Sequence, residues 1–206
     1  MEKDQFVQKL KNYPVITFIG PLYQKGPENF DHPHIFVDRG AVFREEFKQK
    51  AQEGYWDLSV GDGDSFPHEL DLKLNPHKDF SDLSFALSLL PSGLKELHLR
   101  GFLGGRRDHE LINLGEVHHA LLNNISKAVV SFDDKILAKR EILEVNINGT
   151  FSLVVFQETE IKMEGDLKYP LPNFTSLKPF SSHGLSNIGN GLVKINSPGP
   201  YFIFLP

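Results

Sequence analysis

Between residues 15 and 125, short β-branched or aromatic runs alternate with stretches of helical spacing, and this alternation constrains the fold more than any other feature. Val15-Ile16-Thr17-Phe18-Ile19 reads as a buried strand with a hard stop at Gly20-Pro21. A polar loop rich in Gly and Pro covers 21–33, and His34–Val37 follows as a second strand. Residues 41–52 have helical spacing through Val42, Phe43 and Phe47. Trp56–Val60, Leu70–Leu74 and Leu94–Leu99 read as further strands. The spacing predicts helices over 79–90, with Leu83, Ala86, Leu87 and Leu90 on one face, and over 106–125, with Leu111, Leu114, His118, Leu121 and Ile125 along one side. An amphipathic turn or two opens the chain at 2–11. Strand, helix, strand, helix favours a parallel sheet with helices on both faces.

After Ser126 the pattern changes. Residues 128–132, 136–140, 142–147, 151–156, 192–195 and 201–205 are short strand-like runs separated by Asp-Asp, Asn-Gly, Pro and Ser, and Asn148-Gly149 carries a hairpin signal. This predicts an all-β tail, a small sandwich. The expected division is therefore an α/β domain at 1–127 and a β-sandwich domain at 128–206.

Composition narrows the class of function. The net charge of −5 gives no footprint for general nucleic-acid binding. The absence of cysteine excludes disulfides, thiolate zinc sites and a Cys nucleophile. Met1–Gln5 lack the apolar core of a signal peptide, and no apolar run approaches the roughly 18 residues of a membrane span, so a cytoplasmic protein is expected.

Charged and glycine residues collect where the expected strands end. Asp38-Arg39-Gly40, Gly61-Asp62-Gly63-Asp64-Ser65 and Gly101–Asp108 each follow a strand. Ligands of open parallel sheets bind outside the carboxyl ends of the strands, so the three turns share one edge. Two carboxylates two residues apart repel unless a cation offsets them, and a hard divalent ion takes oxygen ligands. Lys78-Asp79-Phe80-Ser81-Asp82 opens a helix, with Asp79 or Ser81 suited to cap it. Gly104-Gly105-Arg106-Arg107-Asp108-His109 opens another, offering backbone N–H groups and a guanidinium fork to an anion. Other sites fail on their residues. No Walker cradle is present, Gly61-x-Gly63-x-x-Phe66 lacks the third glycine of a dinucleotide fingerprint, and 62–73 has Pro67 and Lys73 where a calcium loop needs Gly and Glu. Gly184–Ile188 lacks the closing glycine of a nucleophile elbow. His118 and His119 point in different directions on a helix and are expected to be packed or solvated.

Taken together, these turns resemble the thiamine pyrophosphokinase family. Asp38-Arg39-Gly40-Ala41 matches its Asp-Gly-Gly-Ala, Gly61–Ser65 its Gly-Asp-Phe-Asp-Ser, Lys78–Asp82 its Lys-Asp-x-Thr-Asp, and Gly104–His109 its Gly-Gly-Arg-x-Asp-His. Leu167-Lys168-Tyr169-Pro170-Leu171 and Gly184-Leu185-Ser186-Asn187 are similar to its two C-terminal signatures. The resemblance implies a Rossmann-like nucleotide domain followed by a β-sandwich, and a homodimer whose sites use both subunits. It implies magnesium-dependent transfer of a pyrophosphoryl group from ATP to the hydroxyl of thiamine, with a related pyrophosphokinase on another small alcohol such as a pterin, or a non-catalytic binding protein, as alternatives. By position, Asp62, Asp64 and Asp82 are the implied metal ligands. Asp38, Gly40, Ser65, Lys78, Gly104, Gly105 and Arg106 would hold the nucleotide, and Ser186 and Asn187 would face thiamine from the partner subunit. Asp62, Asp82, Arg106 and Asp108 are the implied catalytic groups, with Asp82 or Asp108 to accept the hydroxyl proton. Three residues depart from the pattern: Arg39 for a glycine, Val42 where Asn is common, and Gly63 for an aromatic.

Overall fold

The computed structural model describes residues 3–24, 26, 28–64 and 69–205. After α1 (Lys3–Leu10), the α/β portion contains β1 (Val15–Ile19), β2 (His34–Val37), α2 (Arg44–Lys50), β3 (Asp57–Gly61), β4 (Leu72–Lys73), α3 (Asp82–Ser88), β5 (Glu96–Arg100), α4 (Arg107–Leu122) and β6 (Val129–Phe132). These strands lie in the order β4-β3-β2-β1-β5-β6, and every neighbouring pair is parallel. The chain leaves β1 toward β2 and later returns to its other side as β5. The β1/β5 boundary is therefore the topological switch point, where open sheets of this kind place ligands.

Alternation along the strands sends two different sets of side chains to the two faces. Ile16, Phe18, Ile35, Val37, Leu58, Val60, Leu97, Leu99, Val130 and Phe132 share one buried cluster with α1, α3 and α4, through Phe6, Leu10, Leu83, Leu87, Leu114, Val117 and Leu121. Ile19, Phe36, Ala41, Phe47 and Leu70 form a smaller cluster on the other face beneath α2. Helices therefore cover both faces, as the alternation predicts. Leu111 is the exception on α4: it is exposed, and Val117 and Ala120 join the packed side instead. The second face also carries a polar rung. Asp57, His34, Thr17, His98 and Ser131 stand side by side in register across β3, β2, β1, β5 and β6.

No α-helix follows Leu122 among the described residues. The tail consists of β7 (Ile136–Val154), β8 (Thr159–Leu167), β9 (Leu171–Leu177) and β10 (Asn187–Phe204), which extend the sheet to ten strands in the order β6-β7-β10-β8-β9. Along β7 and β10 the numbers on one strand fall as those on the other rise, from Asn187 opposite Phe151 to Phe204 opposite Ile136. Phe202 also lies opposite Val154, so the far end of β7 curls onto the free edge of β10. Beneath this curl sits a separate buried cluster that includes Ile147, Phe151, Leu153, Ile161, Met163, Val193, Ile195 and Tyr201.

Two expectations change here. Asn148-Gly149 makes no hairpin, because both residues lie inside β7, opposite Asn190 and Gly189. The runs expected at 136–140 and 142–147 and most of that at 151–156 are one long strand ending at Val154, within which Glu141 takes a φ of 67°. β8 and β9 were not anticipated. The tail's reach into one continuous sheet comes from β6 pairing antiparallel with β7. No described helix is long and apolar enough to cross a membrane.

Candidate active site

The carboxyl ends of β2 and β3 bring three acidic side chains together. β2 ends at Val37, and Asp38 turns the chain with φ 53° into a 3-10 helix, Asp38–Phe43. Gly40 lets that turn lie against the end of β1, since a Cβ there would sit 2.0 Å from the Ile19 carbonyl oxygen. β3 ends at Gly61. Gly63 takes φ 80°, and the Asp64 N–H donates to Asp62 Oδ1 at 3.2 Å, closing a tight turn between the two aspartates. As a result Asp38, Asp62 and Asp64 each place an oxygen within 4.8 Å of the others. Burial, then the charges of Asp82, Asp64 and Asp62, push the Asp38 carboxyl up to about 6.

Asp82 stands beside this group but has a different partner. Ser81 caps α3, accepting from the Ser84 N–H at 2.9 Å, and this sets Asp82 in the first turn. The Lys78 ammonium lies 2.7 Å from Asp62 Oδ2 and 2.9 Å from Asp82 Oδ1. All three side chains are withdrawn from solvent, with 8% of Lys78 and 13% of each aspartate exposed. The Lys78 hydrogen bond holds the Asp62 carboxyl below its usual value, whereas burial raises that of Asp82 despite the same lysine. Burial opposes the charge on Lys78, and its two carboxylate partners more than compensate.

The turn after β5 supplies the other wall. Pro21, Leu22, Asp38, Phe102, Gly104, Gly105, Arg106, His109 and Asn113 line a cavity of about 230 Å³ with Gly101. Arg106 grips Asp108 with two N–H groups and holds its carboxyl down at about 2, and both side chains are largely exposed. The Gly104 N–H donates to the Glu110 carboxylate at 2.7 Å. The two groups expected to hold an anion are thus each held by a carboxylate of α4. Arg39 and Val42 are exposed on the turn after β2. Ser65 lies outside the described residues.

Ser186 and Asn187 line up elsewhere. Ser186 has φ 59°, and its N–H donates to Ser152 Oγ at 3.1 Å. Asn187 is buried: its amide donates to the Tyr169 carbonyl at 2.8 Å and accepts from the Tyr169 N–H at 3.0 Å. It latches the loop before β9 to the start of β10. Next to it, Leu153, Ile161, Met163, Tyr169, Leu171, Leu177, His183 and Leu185 surround an apolar cavity of about 300 Å³. This cavity shares no lining residue with the one beside Asp38.

Sequence reasoning did not single out Leu22, Phe102 or Asn113 as lining residues. Asn113 follows His109 by one helical turn, and that spacing was a usable signal; Asn113 donates to the Phe102 carbonyl at 2.9 Å and ties α4 to the turn. His118 is buried against Phe156 and His119 is exposed, as expected of the pair.

Solved structures share this fold. A thiamine pyrophosphokinase from Bacillus subtilis is 18% identical with a TM-score of 0.63, over 93% of this chain and 99% of its own. A thiamin pyrophosphokinase from Candida albicans is 12% identical with a TM-score of 0.66, over 95% and 89%. A thiamin pyrophosphokinase family protein from Enterococcus faecalis is 19% identical with a TM-score of 0.67, over 93% and 98%. The chain has the thiamine pyrophosphokinase fold. No protein-family profile matches its sequence, and no curated protein does. In this chain the acidic cluster lies at the carboxyl ends of β2 and β3, and its Asp38 lines the cavity beside the β1/β5 switch point.

Proposed function

We propose that the chain is a magnesium-dependent thiamine diphosphokinase, moving a pyrophosphoryl group from ATP to the thiamine hydroxyl to give thiamine diphosphate and AMP. The observation that carries this is the convergence of Asp38, Asp62 and Asp64 at the strand ends of a thiamine pyrophosphokinase fold. The donor set suits magnesium. It is all oxygen, and carboxylates brought this close repel one another unless a cation offsets them. Asp38, Asp62 and Asp64 would hold magnesium there, and it would supply positive charge to offset the negative charge that develops in transfer.

The protein's own work is positioning. Arg106 would turn from Asp108 to a phosphate, since a guanidinium fork fits either oxyanion. Gly104 and Gly105 would offer N–H groups beside it, Gly40 would keep the turn after β2 close to the nucleotide, and Lys78 would add a cation at the acidic edge. Of the two carboxylates considered for the hydroxyl proton, Asp82 suits the role better. Burial raises its affinity for a proton, whereas Asp108 is held at about 2 by Arg106. In this reading residues 1–127 form the ATP and magnesium domain and 128–206 a thiamine-binding β-sandwich domain, in a cytoplasmic homodimer. Ser186 and Asn187 would meet the partner subunit's acidic edge. Asn187 would act there through the loop that it holds in place.

A second reading, a pyrophosphokinase for another small alcohol, rests on Arg39 and Val42, exposed on the turn that begins at Asp38. Incubation with ATP, magnesium and thiamine decides between them. Release of AMP with thiamine diphosphate is expected; no product with thiamine but turnover with a pterin alcohol would favour the second reading. Asp62→Asn should abolish turnover without unfolding the chain.

A further inference from the structure

Asp62 and Asp82 would ordinarily be expected to share a metal ion, yet the space between their oxygens holds the Lys78 ammonium. A lysine at this position is one turn of sequence from Asp82, close enough for a four-residue pair, and reaches across to the β3 turn as well. The ammonium donates one hydrogen bond to Asp62 Oδ2 at 2.7 Å and pairs by charge with Asp82 Oδ1 at 2.9 Å. The ion pair is sheltered, so neither partner can be removed without leaving a poorly solvated charge behind. Asp38, by contrast, is brought in by its own left-handed turn and lies with Asp62 and Asp64, whereas Asp82 falls outside that group.

The geometry points to a division of labour that rests on the magnesium reading above: the chain binds one divalent cation through Asp38, Asp62 and Asp64, and Lys78 serves as a built-in second cation that Asp82 positions. Asp82 is then a positioning residue for Lys78 and not a metal ligand. Asp38 takes the ligand place. A second ion is superfluous in this arrangement because the Lys78 ammonium already supplies a positive charge between Asp62 and Asp82. The design also fixes one positive charge at the acidic edge before any metal arrives.

Manganese is a spin-active probe for such a site. Titration of the full chain with Mn²⁺ alone, without nucleotide, followed by electron paramagnetic resonance, should count one tight ion per chain. That count needs no variant. Asp64→Asn and Asp38→Asn should each weaken Mn²⁺ at least about tenfold, and Asp82→Asn less than about threefold, with melting curves confirming that each variant is folded. Lys78→Met should open a second Mn²⁺ site, because Asp82 regains an unneutralised oxygen next to Asp62.

Two tight ions in the unmodified chain, or a loss in Asp82→Asn equal to that in Asp64→Asn, would overturn the division while leaving the magnesium reading intact. No Mn²⁺ bound to any form would overturn the magnesium reading and the inference with it. Failure to make thiamine diphosphate, with one Mn²⁺ bound as described, would overturn only the assigned substrate.

Discussion

Asp38 and Ser186, from opposite ends of the chain, share an unusual backbone, with φ of 53° and 59°. A left-handed conformation costs an L-residue about 1 to 2 kcal/mol, and such strain persists where surrounding structure imposes it, often at functional sites. Aspartate tolerates the region better than serine, so Ser186 bears more of the cost. Ser186→Gly should therefore stabilise the chain by about 1 kcal/mol in denaturant titration. If its hydroxyl meets thiamine, the same variant should raise the KM for thiamine and leave that for ATP unchanged. A gain in stability with an unchanged thiamine KM would assign Ser186 to backbone geometry alone. Gly63 is easier to understand at this scale. Its φ of 80° closes the turn that sets Asp62 against Asp64, so the replacement of an aromatic by glycine suits the backbone there. A histidine beside the polar rung gives a second prediction: His32, just before β2, lies with Nε2 2.7 Å from Thr17 Oγ1. Burial, then His34 and His98, lower His32 to about 4, while the unfolded chain takes up the same proton near its ordinary value of 6.5. Between those values the unfolded state binds more protons, so this residue's contribution is intact above 6.5 and is lost as pH falls toward 4. Melting temperature should fall across that window, and His32→Gln should flatten the slope. His98, also lowered by burial, would keep part of it.

At the scale of elements, the turn that carries Asp38 depends on α2, and α2 depends on Arg44. Its guanidinium donates to Asp57 Oδ1 from Nε at 2.8 Å and from Nη2 at 2.6 Å, to Ser59 Oγ from Nη1 at 2.9 Å, and lies 2.7 Å from Asp71 Oδ2. Asp71 also accepts from the Ser59 N–H and hydroxyl. One side chain thus ties α2 to β3 and to the segment before β4. Arg44→Met keeps most of the stem but leaves Asp57 and Asp71 without their cation, and should cost about 3 kcal/mol, the low end for a broken buried pair because Asp71 is partly solvated. Measured alongside, Asp57→Asn with Arg44→Met should recover part of the loss; no recovery would mean that packing of the stem carries the effect. This network was not legible from sequence, since Arg44, Asp57 and Asp71 read as ordinary polar residues of a helix and two strand ends. The elements were legible. The β1 and β2 limits match their apolar runs, because buried strands of a parallel sheet advertise themselves by composition. β8 was missed although Thr159, Ile161 and Met163 alternate with Glu160, Lys162 and Glu164, because charge on one face masks an apolar edge on the other. The Asn148-Gly149 signal misled for a related reason: a turn dipeptide acts only where the chain must reverse, and here β10 holds both of its sides extended.

At the scale of the molecule, the parts of the proposed site lie in two cavities. The acidic edge opens beside Asp38 and Arg106, and the C-terminal signature residues border the apolar cavity beneath the β7–β10 curl. Motif order in the sequence pointed to one active site, but linear order carries no information on whether its halves meet within a chain or between two. A twofold dimer would bring the acidic edge of each protomer to the Ser186 loop of the other and form two equivalent sites. Subunit mixing separates the possibilities. Asp64→Asn disables the acidic edge, and Ser186→Trp blocks the loop; each variant alone should be inactive with thiamine. Refolded together in equal amounts, half the dimers would pair unlike chains, and each of those would hold one site with both halves intact. Activity should return to about a quarter of the unmodified rate. Sites completed within one chain cannot be repaired this way, because every chain in the mixture carries one lesion. No recovery, with mixed dimers verified by mass, would place the thiamine site within a single protomer and require the Ser186 loop and the acidic edge to serve separate ligands.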